Sequence, residues 1–185
     1  HLIHDNINIE RKNIASLYIF HMKADLIMDV LKQIPSITDM VPAETPLFPY
    51  IESRPSEHRE IEDKEDMVIY AHSFSINQDV AQFYGIKMKE GDGGFNLSNA
   101  ECLINETMAK QLGFSNPIGK TFWGGNRVIK GVIYDYAYQS PSEPIRAAFF
   151  RSGNKMPSSV AFKYSGDFAT CKAAIEKAFE EQGQN

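Results

Sequence analysis

The chain of 185 residues has little positive charge to spare: 19 Lys and Arg stand against 24 Asp and Glu, a formal net charge of -5. A protein that tracks phosphates along a nucleic acid needs a basic face, so that class is excluded. Long apolar runs are missing too, and the stretch of about 20 apolar residues that crosses a bilayer is nowhere present. Cysteine is scarce, with only Cys102 and Cys171. Two are too few for a disulfide scaffold and their spacing is not that of zinc ligands. They are either one bridge formed in an oxidising compartment or two small buried hydrophobes. The chain opens at His1-Leu2-Ile3-His4 with no initiator Met and no apolar leader. It reads as excised from something longer. Internal repeats and low-complexity segments are absent.

What is present suffices for a core. Apolar residues make up 43% and charged residues 23%, the balance of a folded domain. Ser16–Met22 reads as a strand. Leu26, Ile27, Val30, Leu31 and Ile34 recur at helical spacing, and Pro35 ends that helix. Ile37–Val41 reads as a second strand, giving a β-α-β unit. Four prolines punctuate residues 42–55, and residues 56–66 carry six acidic and two basic side chains. We read this mixed-sign run as a solvated hairpin tip, against the alternative of a cation or basic-partner site.

Met67–Ile76 returns to strand character, and Asp79–Tyr84 is a short helix stopped by Gly85. Glu101–Ile104 is a brief strand. The helix that follows has Asn105 at its N-cap, Glu106 in its first turn and Gly113 as its stop. Pro117 and Gly119 make a turn into a hairpin of residues 120–123 and 127–138, closed by Gly124-Gly125-Asn126. Strands are expected at residues 146–150 and 158–164. A last helix is capped by Asp167, with Phe168, Cys171, Ile175, Ala178 and Phe179 on its inner face. The fold class is α+β.

Catalytic constellations are hard to find. The string from Gly113 to Thr121 imitates a P-loop, but five residues separate its glycines where the pattern has four. Pro117 also removes a backbone N–H from the cradle, and the string joins a helix to a strand. Ser, Cys and His form no relay. His21 and His72 fall within strands, His58 lacks metal-site spacing, and Asp135 is a lone acid between Tyr134 and Tyr136. We therefore assign no catalytic, cofactor-binding or metal-binding residue. In a continued strand Tyr134, Tyr136 and Tyr138 share one face. That stripe is either a partner or ligand surface or cross-strand packing. Asn96 and Asn105 match the glycosylation acceptor pattern, which we read as chance.

One ordered set of motifs is specific. Phe83-Tyr84-Gly85-Ile86 leads to Glu90-Gly91. Leu103-Ile104-Asn105-Glu106-Thr107-Met108-Ala109 follows, then Leu112-Gly113, Asn116-Pro117-Ile118-Gly119-Lys120 and Ile129-Lys130-Gly131-Val132-Ile133-Tyr134-Asp135. Over roughly 70 residues this resembles the MacB-like periplasmic core domain of MacB/FtsX-type ABC transporter permeases. Ile34-Pro35-Ser36-Ile37 is similar to that family's "I-P-x-V" segment. The resemblance implies an α/β porter-like lobe, residues 1–72 plus 156–185, and a β-rich lobe, residues 73–155, that carries the NETMAKQLG and NPIGK motifs. It implies a periplasmic domain inserted between the first two transmembrane helices of an inner-membrane permease. Such a domain is a non-enzymatic lever and docking surface for transport or efflux, lipoprotein release or cell-envelope work. Its implied partners are a cytoplasmic ATPase subunit, a second permease copy and other envelope proteins. No cofactor is implied, and the isolated domain is expected to be a monomer. The alternative is a stand-alone periplasmic module that binds a peptide or lipid.

Overall fold

The computed structural model describes residues 3–5, 13–19, 22–45, 47, 54–136 and 144–183. Two sheets organise them. The first contains β1 (Ile3–Asp5), β2 (Ile14–Tyr18), β3 (Ile37–Ala43) and a late strand, β11 (Ser159–Tyr164). Its order is β1-β2-β11-β3, with every neighbour antiparallel. Helix α1 (Ala24–Leu31) links β2 to β3, and α4 (Phe168–Gly183) follows β11. The β-α-β unit expected from the sequence is present in split form: β11 lies between β2 and β3 and runs against both. Pro42 is tolerated because β3 is an edge strand and one side of its backbone has no ladder to feed.

The second sheet contains β4 (Ser56–His58), β5 (Ile69–Ile76), β6 (Met88–Glu90), β7 (Glu101–Asn105), β8 (Thr121–Phe122), β9 (Arg127–Ile133) and β10 (Ala148–Ser152). Its order is β4-β5-β10-β7-β9-β6, with β8 paired to β9. The pairs β5–β10 and β7–β9 are parallel, the others antiparallel. Helix α2 (Gln78–Tyr84) follows β5 and α3 (Glu106–Leu112) follows β7. Of residues 56–72, expected in the first lobe, Ser56–His58 and Ile69–His72 pair into this second sheet. The change of sheet comes between Ala43 and Ser56, and again between Ser152 and Ser159.

Side-chain alternation explains the layers. In β2, Ala15 and Leu17 face α1 and α4, while Ile14 faces the second sheet. The central strands of the second sheet are apolar on both faces, as strands covered on both sides must be. Cys102, Ile104 and Phe149 pack under α3, whereas Leu103, Ala148 and Phe150 face α2. A register shift in β9 between Ile129 and Gly131 resets the alternation, so that Val132 joins the α3 side and Ile133 the α2 side. One buried cluster takes Ile14, Val41 and Ala161 from the first sheet and Phe74, Leu103 and Phe150 from the second, with α2 between. Each fully buried large apolar side chain contributes about 2 kcal/mol, so the two sheets are joined by a shared core. Lys163 of β11 adds a polar tie. Its ammonium donates to the carbonyl of Phe83 at 2.6 Å and lies 4.6 Å from that ring's centroid.

Several boundaries differ from the sequence reading. β2 ends at Tyr18, where a strand to Met22 was expected, and β9 ends at Ile133, where one to Tyr138 was expected. The cysteines are free and lie in different cores, Cys102 beneath α3 and Cys171 beneath α4. That settles the open pairing in favour of buried thiols. Among the described residues no helix is long and apolar enough to cross a membrane.

Candidate functional site

The motif residues converge on the N-terminus of α3. Asn105 ends β7 and caps α3 in extended backbone, φ -84° and ψ 170°, with its side chain wholly buried. Its Oδ1 accepts from the N–H of Met108 at 2.9 Å, the ordinary N-cap bond. The same oxygen accepts from the N–H of Ala148 at 3.0 Å, and Nδ2 donates to the carbonyl of Arg146 at 2.8 Å. One side chain therefore closes the helix start and fixes the entry of β10. An amide is required, since only Asn offers acceptor and donor together at this length.

Asp135 holds the other side of the same turn. Its Oδ1 accepts from the N–H of Thr107 at 3.0 Å and its Oδ2 from the Thr107 hydroxyl at 2.8 Å. The N–H of Asp135 in turn donates to Oε1 of Glu106 at 2.9 Å. Oε2 of Glu106 meets the ammonium of Lys89 on β6 at 2.8 Å. The Lys89 bond, with the Asp135 N–H second, holds the Glu106 carboxyl below its usual range, and Glu106 raises Lys89. Two carboxylates at a helix N-terminus are also favoured by its dipole. The acid that looked solitary in the sequence thus pairs with a helix start 28 residues earlier.

The remaining motifs serve backbone geometry. Gly91 and Gly131 meet where β6 crosses β9. A Cβ on Gly91, whose φ is +100°, would lie 2.6 Å from the carbonyl oxygen of Lys130 and 3.0 Å from Cα of Gly131. One on Gly131 would lie 2.6 Å from the Met88 sulfur and 2.9 Å from the Glu90 carbonyl oxygen. In the P-loop imitation, Oδ1 of Asn116 accepts from the N–H of Ile118, and the N–H of Gly119 donates to Ile129 at 2.8 Å. These backbone donors turn the chain into β8, and the string runs from α3 to a strand as the sequence indicated.

The expected tyrosine alternation does not run on from Tyr134 to Tyr136. Because β9 ends at Ile133 and Asp135 turns back toward Glu106, the alternation stops before it reaches Tyr136. Tyr134 is 52% exposed, with the Lys89 ammonium 6.0 Å from its ring centroid. Tyr136 is buried, its ring perpendicular to that of Tyr84 at 6.3 Å. Tyr138 lies outside the described residues, as does His21. Tyr134 and Tyr136 therefore share no common face.

Sequence reasoning passed over His58. It sits in the acidic run yet is wholly buried, stacked on Trp123 at 5.1 Å between ring centroids and flanked by Phe122 and Phe149. Burial pushes its imidazole down to about 4. The carboxylates around it in residues 56–66 are exposed, as a hairpin tip requires, but His58 and Ile61 anchor the segment. No group of three or more His, Cys, Asp or Glu among the described residues could hold a metal ion.

No family model matches the chain, and no curated protein matches it. Among solved structures, one described as "a domain of a putative Permease protein" from Porphyromonas gingivalis has a TM-score of 0.53 and 14% identity. The match covers 83% of this chain and 68% of that one. The class defined by this likeness is one of fold: a mixed α+β domain of the kind carried by that permease.

Proposed function

We propose that the chain is the extracytoplasmic domain of a MacB/FtsX-type ABC transporter permease, a non-enzymatic lever and docking element moved by ATP hydrolysis on the far side of the membrane. The observation that carries this reading is the fold shared with the permease domain. It is supported by what the family-like motifs do here. Asn105, Glu106, Asp135, Gly91 and Gly131 tie α3, β6, β9 and β10 together, which is the work of a rigid part. The core shared by the two sheets supports it as well, since a lever must transmit displacement without folding on itself.

On this reading the partners are a cytoplasmic ATPase, a second permease copy and envelope proteins that dock on the domain. The test is to tag the full-length product of the native gene, solubilise it from membranes and identify what accompanies it. Co-purification of an ATPase whose turnover falls when this domain is deleted is the expected result. A tagged product that purifies alone from the soluble periplasm, and gains thermal stability with a peptide or lipid, overturns the proposal in favour of the binding module.

A further inference from the structure

Residues 59–66 form a strap over the α3 side of the second sheet, running on from β4, which is laddered to β5. Ile61 is 3% exposed beneath it and belongs to the same cluster as Phe122 and Phe149. Its tethers are few and local. The N–H of Glu62 donates to Thr121 at 2.8 Å, that of Trp123 to Arg59 at 2.9 Å, and that of Gly124 to Glu60 at 3.4 Å. Glu62 Oε2 accepts from the N–H of Thr121, and Lys120 pairs with Asp63 at 3.1 Å. Three of the strap's and its turn's residues, Glu60, Asp63 and Trp123, hold left-handed φ of +53°, +62° and +56° without being glycine. Such backbone is retained only where surrounding contacts enforce it.

The contact at the centre is the imidazole of His58. The Ser56 hydroxyl donates its single proton to the carbonyl of Ala71 at 3.1 Å. The 3.1 Å contact between Ser56 Oγ and Nε2 is then a bond donated by the ring. Nδ1 is left as a buried lone pair with no partner among the described residues, in a ring stacked on Trp123 and flanked by Phe122 and Phe149. We propose that the strap is an acid-released clasp: a proton on Nδ1 of His58 breaks the aromatic stack with Trp123 and frees residues 59–66 from the sheet.

Burial of the ring favours release, and the Ala71 backbone bond opposes it. From β9, the Arg127 guanidinium lies 5.4 Å from the Trp123 centroid and 5.8 Å from that of Phe149, so the aromatic box already holds one cation. On β4 and just beyond it, Glu57 and Arg59 pair with each other. Lys64 and Lys120 sit over Phe114 at 5.0 and 5.4 Å. Glu60 lies against Gly124, while Glu62 and Asp63 are engaged with Thr121 and Lys120. β5 contributes Ile69 and Ala71, whose backbone bond favours the charged ring, β10 contributes Phe149, and β7 the thiol of Cys102. Among the described residues no carboxylate is bonded to Nδ1 to compensate the added charge.

In the closed clasp burial holds the imidazole at about 4, and in the open one it returns to its ordinary value of 6.5. The open form therefore binds the proton first. Closure is fully favoured above 6.5 and is lost as the pH falls toward 4. Linkage raises the open-to-closed ratio about 20-fold at pH 5 and about 100-fold at pH 4, relative to pH 7.

Trp123 is the chain's single tryptophan, so its emission reports the clasp directly. Titrating the 185-residue chain from pH 7.5 to pH 4 should shift that emission to the red while far-UV circular dichroism stays constant. His58→Phe keeps the stack without a basic nitrogen, and should abolish the transition. A wild-type chain without the transition, a transition unchanged in His58→Phe, or one coincident with loss of the circular dichroism would each overturn the proposal. Should His58→Phe fail to fold, amide exchange on the wild-type chain decides. Protection at Glu62, Trp123 and Gly124, corrected for intrinsic exchange, should fall on acidification while that of β7 and β10 holds; equal loss everywhere refutes the clasp.

Discussion

Asn105→Ala removes three bonds at once, and the structure separates their contributions. The bond to Met108 is a helix cap, worth about 1 kcal/mol when lost. The bonds to Ala148 N–H and Arg146 C=O join β7 to β10, and deleting them leaves backbone groups at a buried site without partners. Each such group costs about 1 kcal/mol or more. The substitution should therefore cost about 3 kcal/mol, a fall in Tm of about 6–12 °C for a chain of this length. Asn105→Ser keeps a capping oxygen but is too short to bridge to both β10 groups, so it should cost about 2 kcal/mol. Asp167 provides the reference. It caps α4 in the open, accepting from the N–H and hydroxyl of Thr170 at 2.8 and 2.7 Å, and Asp167→Ala should cost only about 1 kcal/mol. Urea melts of the four proteins, read by circular dichroism, give the differences directly. If Asn105→Ala costs no more than Asp167→Ala, the bridge from α3 to β10 holds nothing, and the network's role as a brace is refuted.

Other outcomes follow from the same structure. Gly131→Ala should cost about 2 kcal/mol or more through overpacking. Its Cβ would strike the Met88 sulfur and the Glu90 carbonyl. Gly85→Ala, at φ +68° with open space around it, should cost about 1 kcal/mol; equal denaturation midpoints for the two would contradict the close approach of β6 and β9. Burial pushes the Cys102 thiol up to about 12, so at pH 8 a disulfide reagent should react with it only at the rate of unfolding, and fast modification in the folded chain would place it elsewhere. The Glu106 carboxyl is held below its ordinary 4.5, so its pairing stabilises the fold above that value and is lost as pH falls through the lowered one. Glu106→Gln should accordingly flatten the acid limb of a stability-versus-pH curve, and an unchanged limb would show that the Lys89 bond is idle.

Local chemistry was legible in the sequence and long-range chemistry was not. Asn105 and Asp167 each cap the helix that follows, and Gly85 and Gly113 stop α2 and α3 in left-handed backbone, because capping involves neighbours along the chain. The second half of Asn105's role reaches 41 and 43 residues ahead, to Arg146 and Ala148. Asp135 looked solitary for the same reason. The tyrosine alternation failed at a point no periodicity marks, where Asp135 draws the chain off β9 toward Glu106. His58 was lost in a run of charge because Phe122, Trp123 and Phe149 bury it from far along the chain. The α+β class survived these misses, since alternation within β2, β5, β7 and β10 is local while the sheet order is not.

The central claim, that this is the extracytoplasmic domain of a permease, is tested most directly by the topology of the full-length native product. Membranes bearing it should be washed with alkaline carbonate, and intact spheroplasts treated with protease. The account predicts a product that stays with the washed membranes and loses this domain to protease added outside. A product released by the wash, or a domain protected until the spheroplasts are broken, would contradict it.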